Sequence, residues 1–286
     1  MLSVFLPSEL QLDLSDHPVD PAQVGFYVPE YMGPRDSLEL IAHMPNLEVV
    51  QLLTVGFDAA LEHVPDHVTL CNAVGVHDAS TAELAVALVL ASLRGIDDFA
   101  RAMPQGNWIH DRRPSLADRR VVIIGAGGVG QAIANRLVPF EAQVTLVATT
   151  QRSGVVDISE LPNLLPEVDI VILAIPLNAN TAGLVDDSFL SRMRDGALLV
   201  NVARGGVVDT QALMRHAQQG RIRAALDVTD PEPLPPEHPL WRIPGVLISP
   251  HVGGNTSAFL PRARALVEKQ IGRWRSGEPL AHVVQQ

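Results

Sequence analysis

The stretch "VVIIGAGGVGQAIANRL", Val121–Leu137, opens with apolar β-formers and closes on a helix-forming run. Between them Gly125, Gly127 and Gly130 stand in G-x-G-x-x-G spacing. Glycine-rich turns are common, so the spacing alone is weak. Its meaning comes from the strand before it and the helix after it. Gly125 permits a tight turn, Gly127 lets the backbone approach a diphosphate, and Gly130 lets helix and strand pack closely. Free N–H groups and the helix dipole then favour an anion at the helix N-terminus. The stretch predicts a nucleotide-binding strand–turn–helix.

Outward from it, the same rhythm repeats. "VVIIG", "QVTLVA", "DIVILAI", "ALLVNVA", "AALDV" and "VLISP" read as six strands. Helical segments separate them at Val129 to Leu137, Ser188 to Met193, and Thr210 to Gln219 with Gly220 as its stop. Parallel strands with crossover helices predict a doubly wound α/β domain. Upstream, "LSVFLP", "VGFYVP", "LEVVQLL" and "VTLCNAV" read as shorter strands around a helix, "RDSLELIAHM", which predicts a second, smaller parallel sheet.

Between the two series, "ASTAELAVALVLASLRG" carries Ser80 and Glu83 at capping-box spacing and Gly95 as a helix stop. It is apolar nearly all round, which predicts burial on all sides, between domains or at a subunit interface. "MPQGNWIHDRRPSLADRR", Met103 to Arg120, reads as a linker or arm. The tail "TSAFLPRARALVEKQIGRWRSGEP" reads as a last helix, capped by Thr256 or Ser257, with Pro261 in its first turn and Gly277 at its end. It is placed back on the first domain, because the second is complete at its sixth strand. The expected division is 1–94 with 257–286, and 95–256 including an arm over 95–120.

A hydrophobic content of 47% and a charged content of 19% are those of a globular chain. The net charge of −11 argues against nucleic acid or an anionic membrane as the main partner. An anionic substrate therefore needs a local positive group. Cys71 is the single cysteine, so no intramolecular disulfide is possible. The start, "MLSVFLPSELQLDLSD", lacks a basic n-region and a cleavage site, and "LAVALVLASL" is too short to span a membrane. The expected location is the cytoplasm.

An NAD site wants an Asp or Glu at the end of the second strand of the dinucleotide fold. Here "LVATTQRSG" has Ala148, followed by Thr149, Thr150 and Arg152. Hydroxyls and a guanidinium suit a 2′-phosphate, which a carboxylate would repel, so NADP is preferred and NAD remains possible. If Arg152 is merely a solvated surface arginine, the site is unselective. Three further residues stand past strand ends: Arg204 in "VNVARGGVVD", Glu232 in "LDVTDPEP" and His251 in "LISPHVGG". Each alone has an ordinary explanation, as a surface charge, a loop carboxylate or a satisfied core histidine. The carboxyl ends of parallel strands share one edge, so the three are candidates to meet there. Together they suit 2-oxo acid reduction. Arginine grips a carboxylate and polarises the adjacent carbonyl. Histidine donates the proton, and glutamate holds the histidine and favours its charged form.

The chain resembles the D-isomer-specific 2-hydroxyacid dehydrogenases over nearly its whole length. The resemblance rests on "GAGGVGQAIANRL", "PLNANTAGLV", "LLVNVARGGVVD", "ALDVTDPEPLPPEHPLW" and "SPHVGG", in that order. It implies a Rossmann dinucleotide-binding domain and a smaller flavodoxin-like substrate domain. It implies Arg204 for substrate binding and polarisation, Glu232 as orienter and His251 as acid/base. Gly128, Val129, Pro176, Thr181, Ala203, Asp227 and Gly253 then join the cofactor contacts. The backbone of Val55 and Gly56, in "LLTVGFD", faces the substrate carboxylate. "DVTDPEPLPPEHPL" with "ATTQR" resembles the glyoxylate/hydroxypyruvate reductase branch, whose members commonly use NADPH.

There are departures. The N-terminal part is shorter than usual in the family, so loops that shape the substrate pocket are expected to be trimmed. Asn178 stands where the family usually has threonine. Trp108, in the arm, packs either across a homodimer into the partner's pocket or as simple core or interface filling. His77 and Asp78 shape the start of the buried helix. No metal-ligand pattern is present. Two other functions stay open. One is a relative acting on formate or phosphite, against which the Glu232–His251 pair argues. The other is a nucleotide-sensing regulator on the same fold, against which the three catalytic residue types and the scarcity of spare sequence argue.

Overall fold

In the computed structural model, which describes residues 2–13, 20–33, 36–150 and 152–284, the chain divides into two units. These are Met1–His77 with Thr256–Gln286, and Asp78–Asn255. Successive side chains of a strand point to opposite faces, and each unit buries both faces of a parallel sheet.

In the first unit, β1 (Ser3–Phe5), β2 (Val24–Tyr27), β3 (Val49–Gln51) and β4 (Thr69–Cys71) lie side by side in chain order. Val4, Phe26, Val49 and Cys71 enter one layer; Val24, Tyr27, Val50 and Leu70 enter the other. β3 pairs with β2, Phe26 opposite Val49, so the described strands of this smaller parallel sheet run in chain order. The helix predicted over "RDSLELIAHM" is present as α1 (Asp36–Glu39) and tightens into a 3₁₀ turn over Leu40–His43. Its first residue, Arg35, lies outside the described residues.

The second unit runs α2 (Asp78–Arg94), α3 (Ile96–Ala102), β5 (Arg120–Ile124), α4 (Gly128–Leu137), β6 (Gln143–Ala148) and β7 (Val155–Asp157). It continues with α5 (Leu161–Leu164), β8 (Ile170–Leu173), α6 (Asp187–Arg192), β9 (Ala197–Asn201), α7 (Thr210–Gln218), β10 (Ile222–Leu226) and β11 (Val246–Ile248). The sheet has seven parallel strands in the order β11-β10-β9-β8-β5-β6-β7. The six predicted strands are present. The seventh, β7, is a three-residue edge strand on β6, too short to show a pattern. Val122, Ile124, Val171, Leu173 and Leu199 pack with Phe189 and Leu190 of α6 and Leu213 of α7. The alternate residues Val121, Ile123, Ile170, Ile172 and Leu198 pack with Ala85 and Val89 of α2 and Ile133 and Leu137 of α4. Each such fully buried aliphatic side chain contributes about 2 kcal/mol.

That second layer corrects the predicted boundary. α2 covers the large sheet, so the units part at His77/Asp78 and not after residue 94, and again at Asn255/Thr256. α2 also starts earlier than its expected cap. Asp78 is its first residue, and Ser80 is buried inside the first turn. Gly95, at φ 66°, ends it as predicted. Burial is not complete all round, because Glu83, Ala87 and Arg94 leave an exposed stripe. The expected arm begins with α3 and continues irregularly, with Met103 and Trp108 exposed.

The chain returns to the first unit as α8 (Phe259–Ser276), whose Phe259, Ala263, Val267 and Ile271 complete the layer against Val4 and Phe26. Thr256 Oγ1 accepts the Ala258 N–H at 3.3 Å just before the helix, and Gly277, at φ 71°, ends it. Among the described residues no single helix is long and apolar enough to cross a membrane.

Candidate active site

Strand register places the chemistry of the second unit. Ile124 pairs with Leu173, Leu173 with Asn201, Asn201 with Leu226, and Leu226 with Ile248. Five strands therefore end in one row, about 5 Å apart from neighbour to neighbour. Each predicted site segment leaves from that row. The glycine turn follows Ile124, Pro176 follows Leu173, Arg204 follows Asn201, Glu232 follows Leu226, and His251 follows Ile248. The order of strands reverses between β5 and β8, the place where ligands bind doubly wound sheets.

The glycine turn has the steric signature of a nucleotide cradle. Gly125 has φ 114°, and a Cβ there would overlap the carbonyl oxygen of Ala174. A Cβ at Gly130 would overlap the Gly125 carbonyl, so α4 packs directly on the turn. At Gly127 a Cβ would meet no protein atom within 4 Å. The protein itself does not demand glycine there; a group approaching the N-terminus of α4 does. Gly128 and Val129 form the first turn of α4, and a Cβ on Gly128 would overlap the Asp78 carboxylate. These residues fit a dinucleotide diphosphate.

At the end of β6, Thr149, Thr150 and Arg152 are exposed. The Arg152 Nη2 donates to the Ala126 carbonyl at 2.6 Å, which ties this cation to the glycine turn. No carboxylate stands at Ala148, so the donor set suits a phosphorylated ribose. Thr181, expected beside the cofactor, also shapes the loop that carries Pro176. It is buried, its Oγ1 donates to the Pro176 carbonyl at 2.6 Å and accepts the Asn178 N–H at 2.9 Å, and so it shapes the loop after β8. Asn178 Oδ1 closes the same loop by accepting the Asn180 N–H at 2.9 Å.

Past β9, buried Asn201 builds the Arg204 turn. Its Oδ1 accepts the Ala203 N–H and its Nδ2 donates to the Arg204 carbonyl, both at 3.0 Å. Gly205 then packs against the backbone of Thr229, where a Cβ would overlap the carbonyl oxygen. That contact fixes the Arg204 loop against the loop that carries Glu232. The Arg204 guanidinium is half-buried and donates to the Ala203 carbonyl at 2.7 Å.

His251 Nδ1 and Glu232 Oε1 lie 2.5 Å apart. The bond spends Nδ1 and leaves Nε2 as the ring nitrogen for proton transfer. Behind this pair stands Asp227, which is 3% exposed. Its Oδ1 accepts from Ser249 Oγ at 2.7 Å and Val252 N–H at 2.9 Å; its Oδ2 accepts from Gly253 N–H at 2.9 Å. Asp227 was expected as a cofactor contact, and its carboxylate here organises the turn that presents His251. Asn201 and Ser249 are the supporting residues that the sequence reading passed over. A polar residue at the last position of an apolar strand is the signal that would have found Asn201.

In the first unit, the loop after β3 turns its carbonyls inward. Val55 O accepts Asn72 Nδ2 at 3.0 Å, and Gly56 O accepts Thr54 Oγ1 at 2.6 Å. Among the described residues the N–H groups of Val55 and Gly56 donate to no protein acceptor. Adjacent free amides make an anion-binding concavity. No group of three or more His, Cys, Asp or Glu among the described residues is arranged to hold a metal ion.

Comparison with known proteins agrees with this geometry. Residues 86–253 match the family described as D-isomer specific 2-hydroxyacid dehydrogenase, NAD binding domain. A glyoxylate reductase of Thermofilum pendens is 32% identical over 255 residues, 84% of this chain and 75% of that one. The glyoxylate reductase/hydroxypyruvate reductase of Homo sapiens is 32% identical over 260 residues, 86% of this chain and 79% of that one. A D-isomer specific 2-hydroxyacid dehydrogenase from Xanthobacter autotrophicus, solved with NADPH and MES, superposes with a TM-score of 0.83 at 30% identity, covering 99% of this chain and 98% of that one. The NADPH-dependent glyoxylate/hydroxypyruvate reductase of Sinorhizobium meliloti, solved with NADP and sulfate, gives 0.84 at 25% identity, covering 99% and 97%. With a family match over more than half its length and relatives above 30% identity along most of it, the chain belongs to the D-isomer-specific 2-hydroxyacid dehydrogenase family, in its glyoxylate/hydroxypyruvate reductase branch, and is an NAD(P)-dependent oxidoreductase.

Proposed function

We propose that the protein reduces a small 2-oxo acid, glyoxylate or hydroxypyruvate, to the D-2-hydroxy acid, with NADPH preferred over NADH. The observation that carries this reading is the His251–Glu232 pair, 2.5 Å apart at the carboxyl edge that also presents Arg204. Bound NADPH supplies the hydride. Protonated His251 holds the acidic proton at Nε2, Glu232 fixes the ring through Nδ1, and Arg204 grips the carboxylate and polarises the carbonyl. In the first unit, the free amides of Val55 and Gly56 are donors suited to an anion. Arg152, with Thr149 and Thr150, is assigned to the adenosine 2′-phosphate, and Gly125, Gly127, Gly128, Val129 and Gly130 to the diphosphate. Pro176, Ala203 and Gly253 line the loops beside it. The first unit serves as the substrate domain and the second as the dinucleotide-binding domain.

The protein is also read as a homodimer. Ile96, Phe99, Met103, Trp108 and Ile109 expose apolar surface along α3 and the arm, with Trp108 at 93% exposure and Met103 at 76%. A monomer rarely leaves such a patch open, and a second copy is the partner assigned to it. The lone cysteine suits a reducing compartment, and the cytoplasm is the assigned location.

Steady-state assays of 2-oxo acids against both reduced nicotinamides test the reading. Turnover is expected on glyoxylate or hydroxypyruvate, faster with NADPH. Turnover on formate alone, or none on any 2-oxo acid, contradicts the assignment.

A further inference from the structure

The opposite, amino edge of the large sheet carries a second cluster of charge that the proposed reaction does not use. A cavity of about 150 Å³ lies there, lined among others by Arg119, Asp169, Arg194, Asp195 and Arg223. Arg119 precedes β5, Asp169 precedes β8, Arg194 and Asp195 precede β9, and Arg223 lies near the start of β10. All belong to the second unit. Strands of four to five residues separate this edge from the carboxyl row by about 15 Å.

The charges here do not cancel. Arg119 and Arg194 both donate to Asp169 Oδ1 at 2.9 Å, and Asp169 Oδ2 accepts the Arg120 N–H at 2.9 Å, so that carboxylate has both oxygens engaged. Asp195 is paired with Arg221 outside the set. Arg223 is left over: among the described residues it makes no ion pair, and its Nη1 donates only to the Ser92 carbonyl at 3.1 Å. The hydroxyl of that same Ser92 is buried without a hydrogen-bond partner. Burial and the neighbouring Arg119 cation both push the Arg223 guanidinium below its ordinary range. Gathering like charges costs free energy that an intervening anion offsets, and in a chain of net charge −11 the cluster is not a by-product of a basic surface.

We propose that this cavity binds a small, multiply charged oxyanion, phosphate or a phosphomonoester head, with Arg223 as its principal ligand and the free N–H groups of Arg119 and Arg194 completing the site. The cavity has room for a phosphate-sized group. Leu93 at the end of α2 and Pro114 at the base of the arm line it too, so an anion there braces the arm against the sheet.

The test is the thermal unfolding midpoint of enzyme saturated with NADPH, which closes the dinucleotide site to the probe. Inorganic phosphate and glycerol 3-phosphate are added in separate arms, each against chloride of equal ionic strength. At ten times the dissociation constant the midpoint is expected to rise by about 3 °C. A response to phosphate alone identifies the free ion, and a response to both admits the phosphomonoester. The rise is expected to vanish in Arg223→Gln and to shrink in Arg194→Gln, whereas an anion held at Arg204 gives a rise that both variants keep. If Arg223→Gln does not fold, Arg194→Gln and a phosphate-soaked crystal decide, with density expected within hydrogen-bond reach of Arg223. No response beyond chloride, an undiminished response in the variants, or a side chain of a second copy filling the cavity in the crystal overturns the proposal.

Discussion

His251 holds φ at 52°, a left-handed conformation that costs a non-glycine residue about 1–2 kcal/mol. The surrounding bonds hold it there. Its N–H is shared between the carbonyls of Asp227 at 2.8 Å and Ser249 at 3.1 Å, while the Asp227 carboxylate gathers Ser249, Val252 and Gly253. Asp227 is thus a positioning residue for the imidazole. Asp227→Asn keeps the shape but sets an NH₂ against donors. It is expected to lower kcat by roughly 10²-fold, the cost of a displacement of about 1 Å at the reacting atoms, with NADPH affinity changed less than threefold. Parallel losses in affinity and kcat would return Asp227 to the cofactor contacts. At this scale the sequence was informative about His251, because a histidine between a strand and two glycines is conspicuous. The role of Asp227 was not legible, since its burial and its partners arise only when β10 and β11 lie side by side.

At the scale of elements, hydrophobic period carried most of the reading. The five longer strands of the large sheet alternate between two buried layers and were visible for that reason, while the three-residue β11 was marked by the proline, histidine and glycines that follow it. The edge strand β7 spans less than two alternations and was missed. The boundary after residue 94 failed because an apolar helix shows that it is buried, but not which sheet buries it. Nor does a period reveal polar cores. Under the loop of Val55 and Gly56, Gln51 and Gln270 are both 0% exposed. Gln270 Nε2 donates to Gln51 Oε1 at 2.8 Å, and Gln51 Nε2 donates to the carbonyls of Leu52 at 2.7 Å and Asn72 at 3.0 Å. Gln51→Leu removes the donor from the buried carbonyls of Leu52 and Asn72 and leaves Gln270 Nε2 with only its 2.8 Å bond to the Ala281 carbonyl, and urea unfolding is expected to show a loss of about 2–4 kcal/mol. A loss under 1 kcal/mol would mean that water or a shifted backbone replaces the bonds. Cys71, beside this network, has its thiol pushed up to about 11 by burial, against the opposing hydrogen bond of Gln270, and stays protonated at neutral pH.

For the whole molecule, the acidic balance of −11 makes any anion site a local exception. The carboxyl edge provides Arg204, Arg152 and the N-terminus of α4; the amino edge provides Arg223. The patch on the arm belongs to this scale as well. Trp108→Glu is expected to shift sedimentation from dimer toward monomer, and a wild-type chain that sediments as a monomer at micromolar concentration contradicts the dimer reading. The central claim is that His251, held by Glu232, supplies the proton as the 2-oxo acid is reduced. Single-turnover oxidation of enzyme-bound NADPH by glyoxylate, in wild type and His251→Gln, tests it most directly. The variant is expected to bind NADPH as wild type does and to transfer hydride about 10²–10⁴-fold more slowly. A variant that consumes its bound NADPH at close to the wild-type rate would contradict it.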